Sequence, residues 1–249
     1  MQRRILLTIA YDGSNYYGWQ KQPDNAVPTV QGEVEKALSD FFKKEITVIG
    51  ASRTDRGVHA LGQRAVIDVD TTVPIEKLPL AVRPFMPEDI VITDAIVVDD
   101  DFHPRFNCVN KTYVYKIYNG QYKNPICRKY TEFCYKHLDE NKMNEASKAF
   151  LGIHDFKAFA ASGNSSKTTV RTVFDIGVKR EGDFVSITVT GDGFLYNMIR
   201  IIAGTLMLAG EGRISYKDIE EVILSLDRAK AGKTAGPEGL TLLQINYDI

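Results

Sequence analysis

Disulfide and metal-binding patterns are missing from this chain. Its 249 residues include three cysteines, Cys108, Cys127 and Cys134. That is an odd number with no CxxC pair, so neither a disulfide framework nor a zinc cluster is expected. The four histidines, His59, His103, His137 and His154, never fall at HxxxH or HxH spacing, and no acidic run has the form of a calcium loop. No apolar run approaches the ~18 residues that a membrane span needs. Met1-Gln2-Arg3-Arg4 leads straight into the strand-like Ile5-Leu6-Leu7-Thr8-Ile9 with no apolar h-region. The expectation is a cytoplasmic protein with no export signal, no metal and no membrane segment. Disorder is excluded by composition, since 44% of the residues are hydrophobic and 25% charged, enough apolar side chain to bury a core.

An excess of one charge is also absent overall, the formal net charge being −1. The distribution is uneven. Residues 1–105 carry 12 basic and 16 acidic side chains, residues 106–180 carry 13 and 6, and residues 181–249 carry 6 and 10. The basic middle is interleaved with aromatics, in Lys111-Thr112-Tyr113-Val114-Tyr115-Lys116-Ile117-Tyr118, Tyr122-Lys123 and Arg128-Lys129-Tyr130. Phosphate contacts and base stacking require this mixture, which points to nucleic acid; a solvated strand surface is the plainer explanation.

Periodicity predicts a strand at 3–11, a loop over 12–28, and a helix capped by Thr29 with Val30, Val34, Ala37, Leu38 and Phe41 on one face. A strand at 46–50, a polar loop, a strand at 64–70, a helix near 75–85 and a strand at 90–98 complete a β-α-β-β-α-β order, the ferredoxin-like pattern. The second half repeats the mixture. Strands at 113–118 and 130–135 lead to a helix at 140–151, then a hairpin of 171–179 and 184–190 turning at Glu181-Gly182-Asp183, helices at 195–210 and 215–226, and a strand at 240–247. The expected fold class is α+β, with two ferredoxin-like (RRM-like) halves, 1–105 and 106–249, joined near 99–105. Their antiparallel sheets would lie side by side with a catalytic cleft between them.

Two apparent nucleotide motifs fail on inspection. Gly191-Asp192-Gly193-Phe194-Leu195-Tyr196 resembles a dinucleotide fingerprint, but Tyr196 stands at the third glycine and no second parallel strand follows. Gly232-Lys233-Thr234 resembles the end of a phosphate loop, but Asp227 stands where the earlier glycine is required. The sequons at Asn110 and Asn164 carry no weight where no export signal is expected.

Chemistry is concentrated elsewhere. In Gly50-Ala51-Ser52-Arg53-Thr54-Asp55-Arg56-Gly57-Val58-His59-Ala60 one carboxylate lies between two arginines. That arrangement keeps an aspartate ionised, as a nucleophile or base requires, although an ordinary surface loop with a weak ion pair is the commoner meaning of such a segment. Arg200 lies in a helix apolar almost all round, and stranding a buried guanidinium costs on the order of 3–5 kcal/mol. A carboxylate partner is therefore expected for it, Asp55, Asp192 and Asp12 being the candidates. Tyr113 opens the aromatic strand, where packing with Tyr115 or Tyr118 is its ordinary role.

These segments occur in order along the whole chain. They are Tyr11-Asp12-Gly13 with Gly18-Trp19-Gln20, Thr29-Val30-Gln31-Gly32, Arg53-Thr54-Asp55 with Gly57-Val58-His59-Ala60, Phe106-Asn107, Lys111-Thr112-Tyr113-Val114-Tyr115, Gly193-Phe194-Leu195-Tyr196-Asn197-Met198-Ile199-Arg200 and Glu238-Gly239-Leu240. On them the chain closely resembles the bacterial tRNA pseudouridine synthase A family. The resemblance implies isomerisation of uridines 38, 39 and 40 in the tRNA anticodon stem-loop, by a homodimer gripping the tRNA across both subunits, with no cofactor and no metal. It implies that Asp55 is the catalytic aspartate, that Tyr113 stacks on the target base and is a candidate for proton removal at C5, that Arg53 and Arg200 surround the aspartate, and that Leu240 packs against the site. Ser52 and Arg56 stand beside the catalytic motif where small residues are commoner in the family, and Gly236 and Thr241 alter its usual proline-rich and GLYL lead-in to the last strand. The competing classes are a non-catalytic RNA-binding protein, which gives no reason for Arg53, Asp55 and Arg200, and a phosphoryl-transfer enzyme, whose two motifs have failed.

Overall fold

The computed structural model describes residues 3–22, 27–163 and 166–249. Part of the expected loop 12–28 and the sequon at Asn164 lie outside the described residues. The fold is mixed α/β, with ten strands and five α-helices among the described residues. The chain divides into two compact units, one of residues 1–109 and 242–249, the other of residues 110–241.

In the first unit the alternating segment Arg3–Tyr11 forms β1 and the capped amphipathic segment Val30–Phe42 forms α1. The Thr29 hydroxyl accepts from the Gly32 amide at 3.3 Å, the bond an N-cap residue makes. Val30, Val34, Ala37 and Leu38 are buried, and the helix ends at Lys43, which is left-handed at φ 55°. Then follow β2 (Ile49–Gly50), β3 (His59–Val69), α2 (Leu78–Val82) and β4 (Ile90–Val98).

β1 pairs antiparallel with β3 and β4, and β2 pairs with β3 through Ile49↔Val66 and Gly50↔Ala65. β3 starts at His59, five residues before the expected strand, because His59, Ala60, Gly62 and Gln63 are buried and continue the ladder. The single helix expected at 75–85 is broken into a 3-10 turn, the short α2 and another 3-10 turn at Arg83–Phe85. Pro84 supplies no amide to extend α2.

Arg4 and Asp68 face each other across the β1–β3 ladder. Arg4 Nε donates to Asp68 Oδ1 at 2.8 Å and Nη2 to Oδ2 at 2.7 Å. The Arg4 hydrogen bond holds the Asp68 carboxyl below its ordinary range. A depressed native value stabilises the fold above the unfolded pKa and stops doing so as pH falls through the native one. Both side chains are partly exposed, so Arg4→Met is expected to cost about 0.2–1 kcal/mol at neutral pH. Chemical denaturation of this variant beside the parent, from neutral pH downward, is expected to show the gap closing in acid.

The second unit holds β5 (Cys108–Tyr118), which runs in from the first unit, then β6 (Glu132–Phe133), α3 (Glu140–Ser147), β7 (Gly152–Asp155), β8 (Val170–Glu181), β9 (Phe184–Gly191), α4 (Met198–Gly210) and α5 (Tyr216–Ser225). β10 (Leu240–Tyr247) leads the chain back into the first unit. β5, β9, β8 and β7 pair in that order, antiparallel throughout, and β6 adds to β5 in parallel. The β8–β9 turn is made by Gly182 at φ 59°, a conformation glycine adopts without a Cβ penalty. Ile201, Ile202, Leu206 and Ala209 of α4 are fully buried. Among the described residues, no helix is long and apolar enough to cross a membrane.

Candidate active site

The loop between β2 and β3 is fixed largely through its backbone. Ala51 N–H donates to the Arg64 carbonyl at 2.8 Å. The fully buried Gln63 holds Ser52 from both sides, accepting from its amide at 3.2 Å and donating to its carbonyl at 2.7 Å. Thr54 is buried with its hydroxyl 2.7 Å from that of Tyr11, and its carbonyl accepts from Trp19 N–H at 3.0 Å. Val58 N–H closes a turn onto the Asp55 carbonyl at 3.1 Å, and Gly57 donates to the Tyr16 carbonyl at 3.3 Å. Gly57 stands third in that turn at φ 77°, where a type II turn requires a positive φ.

The segment 12–20 is the bed on which this loop rests. Its Trp19 is buried beneath Gly50, where a Cβ would stand 2.3 Å from the indole Nε1. Gly13 and Gly18 allow direct backbone contact with the loop: a Cβ on Gly13 would stand 2.0 Å from the Val58 carbonyl oxygen, and one on Gly18 2.5 Å from that of Thr54. The Tyr16 phenol donates to Asp89, and burial together with that carboxylate raises its pKa. The result is a clamped turn with Asp55 half-buried and Arg53 and Arg56 exposed. Arg56 stacks on the Tyr17 ring, its guanidinium carbon 4.1 Å from the centroid, so this departure from the usual pattern packs against the same segment.

In the second unit, Tyr113 on β5 is 7% exposed and meets the Phe194 ring edge-on at 5.4 Å. Tyr115, two residues on and on the same face of the strand, is fully buried and donates to the Gly236 carbonyl at 2.8 Å. Burial raises the Tyr115 pKa, and the nearby Glu132 and Glu238 carboxylates raise it further against the opposing Arg200 charge. The phenol therefore stays a neutral donor.

Arg200 is not buried as its apolar helix suggested; it is half-exposed. It stands in the first turn of α4, where side chains lean toward the helix N-terminus and so away from the apolar packing. Its Nε donates to the Ala235 carbonyl at 2.7 Å and its Nη1 to Asn197 Oδ1 at 2.7 Å. Of the three candidate carboxylates, Asp192 accepts from the Thr172 amide and Asp12 from the Ser14 amide. A cation in the first turn also opposes the helix dipole, so packing alone does not account for this arginine.

A strap of residues 232–240 ties these groups together. Gly232 donates to the Thr205 hydroxyl at 2.9 Å. A Cβ on Gly204 would stand 2.0 Å from the Lys233 carbonyl oxygen, so glycine admits the strap against α4. That packing is the role of the segment resembling a phosphate loop. Gly239 passes over the Tyr115 ring, where a Cβ would stand 2.7 Å from it, and delivers Leu240, 6% exposed, to the start of β10. Arg53 and Asp55 thus belong to the first unit and Tyr113 and Arg200 to the second, as does Leu240.

Sequence reasoning missed Glu132. It accepts from Lys233 Nζ at 3.1 Å and from the Gly236 amide at 3.0 Å. The available signal was that it is the one acidic residue between positions 106 and 138, inside the most basic part of the chain.

A family model described as tRNA pseudouridine synthase matches residues 7–107 and 146–248. The chain is 48% identical over 248 residues to tRNA pseudouridine synthase A 2 of Clostridium tetani, with 100% of both chains covered. It is 45% identical over 245 residues to tRNA pseudouridine synthase A of Acetivibrio thermocellus and 44% identical over 245 residues to that of a Thermoanaerobacter species. Each of those alignments covers 98% of this chain and 100% of the relative.

Proposed function

The chain belongs to the tRNA pseudouridine synthase family, and from that premise we propose that it isomerises uridines 38, 39 and 40 of the tRNA anticodon stem-loop, with Asp55 as the catalytic carboxylate. Family members are isomerases. The reaction breaks the C1′–N1 bond and remakes it as C1′–C5, with no net redox change. Attack on C6, attack on C1′ and removal of the 2′ proton are its three possible openings, and all begin from an ionised carboxylate.

The observation that carries the assignment is the clamped turn at 51–58, which presents a half-exposed carboxylate from a loop held by backbone bonds. Preorganised placement of this kind is what a reacting group needs. A target base in a helical stem must be flipped out, at a cost of roughly a few kcal/mol offset by stacking and phosphate contacts. Tyr113 supplies stacking, Arg53 and Arg200 supply positive charge, and Leu240 packs against the site.

The same reading makes the units two related ferredoxin-like halves, supported in the first by the order β1-α1-β2-β3-α2-β4. It makes the working form a cytoplasmic homodimer, since a chain of net charge −1 offers little attraction for a whole tRNA.

The test is to map pseudouridine in unmodified tRNA after incubation with the protein, beside a tRNA carrying cytidine at 38, 39 and 40. Product at those three positions in the first tRNA and none in the second is expected. Binding of both tRNAs with no product in either would transfer the assignment to a non-catalytic RNA-binding protein.

A further inference from the structure

We propose that Glu132 is a positioning residue, whose buried carboxylate sets the strap 232–240 and through it Arg200 and Leu240. The inference rests on the roles given above to those two residues. Glu132 is 9% exposed, and burying a carboxylate is costly unless specific partners satisfy it. Its Oε2 accepts the Gly236 amide at 3.0 Å and its Oε1 meets Lys233 Nζ at 3.1 Å. The Gly236 carbonyl is held by the Tyr115 hydroxyl at 2.8 Å, so both polar groups of that residue are tied to the β5–β6 pair.

The residue before it, Ala235, is fully buried and doubly bonded to Arg200. Its carbonyl accepts from Arg200 Nε at 2.7 Å, and its amide donates to the Arg200 carbonyl at 3.1 Å. A displacement of Gly236 is therefore passed to the guanidinium through one peptide unit. Downstream, Gly239 lies on the Tyr115 ring and fixes the entry to Leu240.

Gly236 fits this arrangement in two ways. A Cβ there would stand 2.6 Å from Glu132 Oε2 and 2.4 Å from both Glu238 carboxylate oxygens, and a proline would remove the amide that Glu132 holds. The glycine at this departure from the family pattern is what lets the carboxylate close on the strap.

The test uses full-length protein and unmodified tRNA. Glu132→Ala is expected to lower kcat about 10- to 100-fold, the scale of a small misplacement of reacting groups, while tRNA binding changes less than about 3-fold. Glu132→Gln keeps an acceptor for the Gly236 amide and is expected to recover kcat to within about 3-fold of the parent. Combined with Arg200→Ala, Glu132→Ala is expected to lose less than the product of the two single losses, because part of its effect passes through that arginine. Glu145→Ala, at an exposed carboxylate on α3 away from the strap, serves as the control and is expected to leave kcat near the parent value.

Losses that multiply in the double variant would overturn the proposal, as would a Glu132→Gln variant as slow as Glu132→Ala. Hydrogen exchange supplies a readout independent of activity: the Ala235 and Gly236 amides are expected to lose protection in Glu132→Ala while α4 keeps its own. Unchanged exchange at both would overturn the positioning role even in an active enzyme. An inactive parent protein would withdraw the proposed function, and the exchange result would still decide whether Glu132 holds the strap.

Discussion

Replacing Gly18 by alanine is expected to cost about 2–4 kcal/mol of stability, from backbone strain and overpacking together, and to slow pseudouridine formation about 100-fold. Gly18 has φ +92°, outside the comfortable range of an L residue, and a Cβ would stand 2.5 Å from the Thr54 carbonyl oxygen, 3.1 Å from Asp55 C and 3.2 Å from Arg56 N. All three obstacles are backbone, so no rotamer change relieves them. The neighbouring Trp19 amide is bonded to that same Thr54 carbonyl, and Trp19 is itself buried. The loop carrying Asp55 has to yield. Gly163→Ala separates the two costs, because Gly163 has φ +86° with nothing within 4 Å of its Cβ position. Thermal unfolding and kcat of the two variants, side by side, are expected to show a modest stability loss in Gly163→Ala and a larger loss, with the rate defect, in Gly18→Ala.

Much of the local architecture was legible in the sequence because it follows from periodicity and caps. The helix at Val30–Phe42 announced itself through Thr29 and its apolar stripe, and the strands at Arg3–Tyr11, Ile90–Val98 and Leu240–Tyr247 through alternation between turn signals. β7 escapes notice because Gly152–Asp155 is four residues long and none of them is buried, too little to show a period. The segment 75–85 has enough apolar residues for one helix, but proline broke it. Among the candidate site residues, the motif around Asp55 was plain, whereas what holds it was not. The bed at 12–20 works through carbonyls, amides and the missing side chains of Gly13 and Gly18, which no pattern of side-chain chemistry displays. Arg200 stands out in the sequence as a lone charge in an apolar helix, but its half-exposure is not legible there, because it depends on the direction of a first-turn side chain. Glu132 escaped because its partners are more than 100 residues away in the chain.

Asp55→Asn is expected to lower pseudouridine formation by a factor on the order of 10³ or more, with little change in stability or tRNA binding. The substitution preserves size and leaves in place the Asp55 carbonyl that closes the turn with Val58, along with the Thr54, Gly57 and Ala51 backbone bonds. What it removes is the negative charge, on which attack at C6, attack at C1′ and removal of the 2′ proton all depend. Arg53 and Arg56 flank the residue in the sequence, so a neutral side chain between them leaves tRNA attraction undiminished. A variant with a parental melting temperature and parental tRNA affinity but no product would separate chemistry from folding and binding.

The central claim is that this chain makes pseudouridine and does so with Asp55, and the most direct measurement is tritium release from C5-labelled uridine in unmodified tRNA. The C5 hydrogen must leave when C5 becomes the glycosidic carbon, so each event frees one label. The account expects release by the parent protein and none above background by Asp55→Asn at equal tRNA occupancy. Release by Asp55→Asn at the parental rate would contradict the assignment of the catalytic carboxylate, and no release by either protein, with both bound to tRNA, would contradict the proposed activity itself.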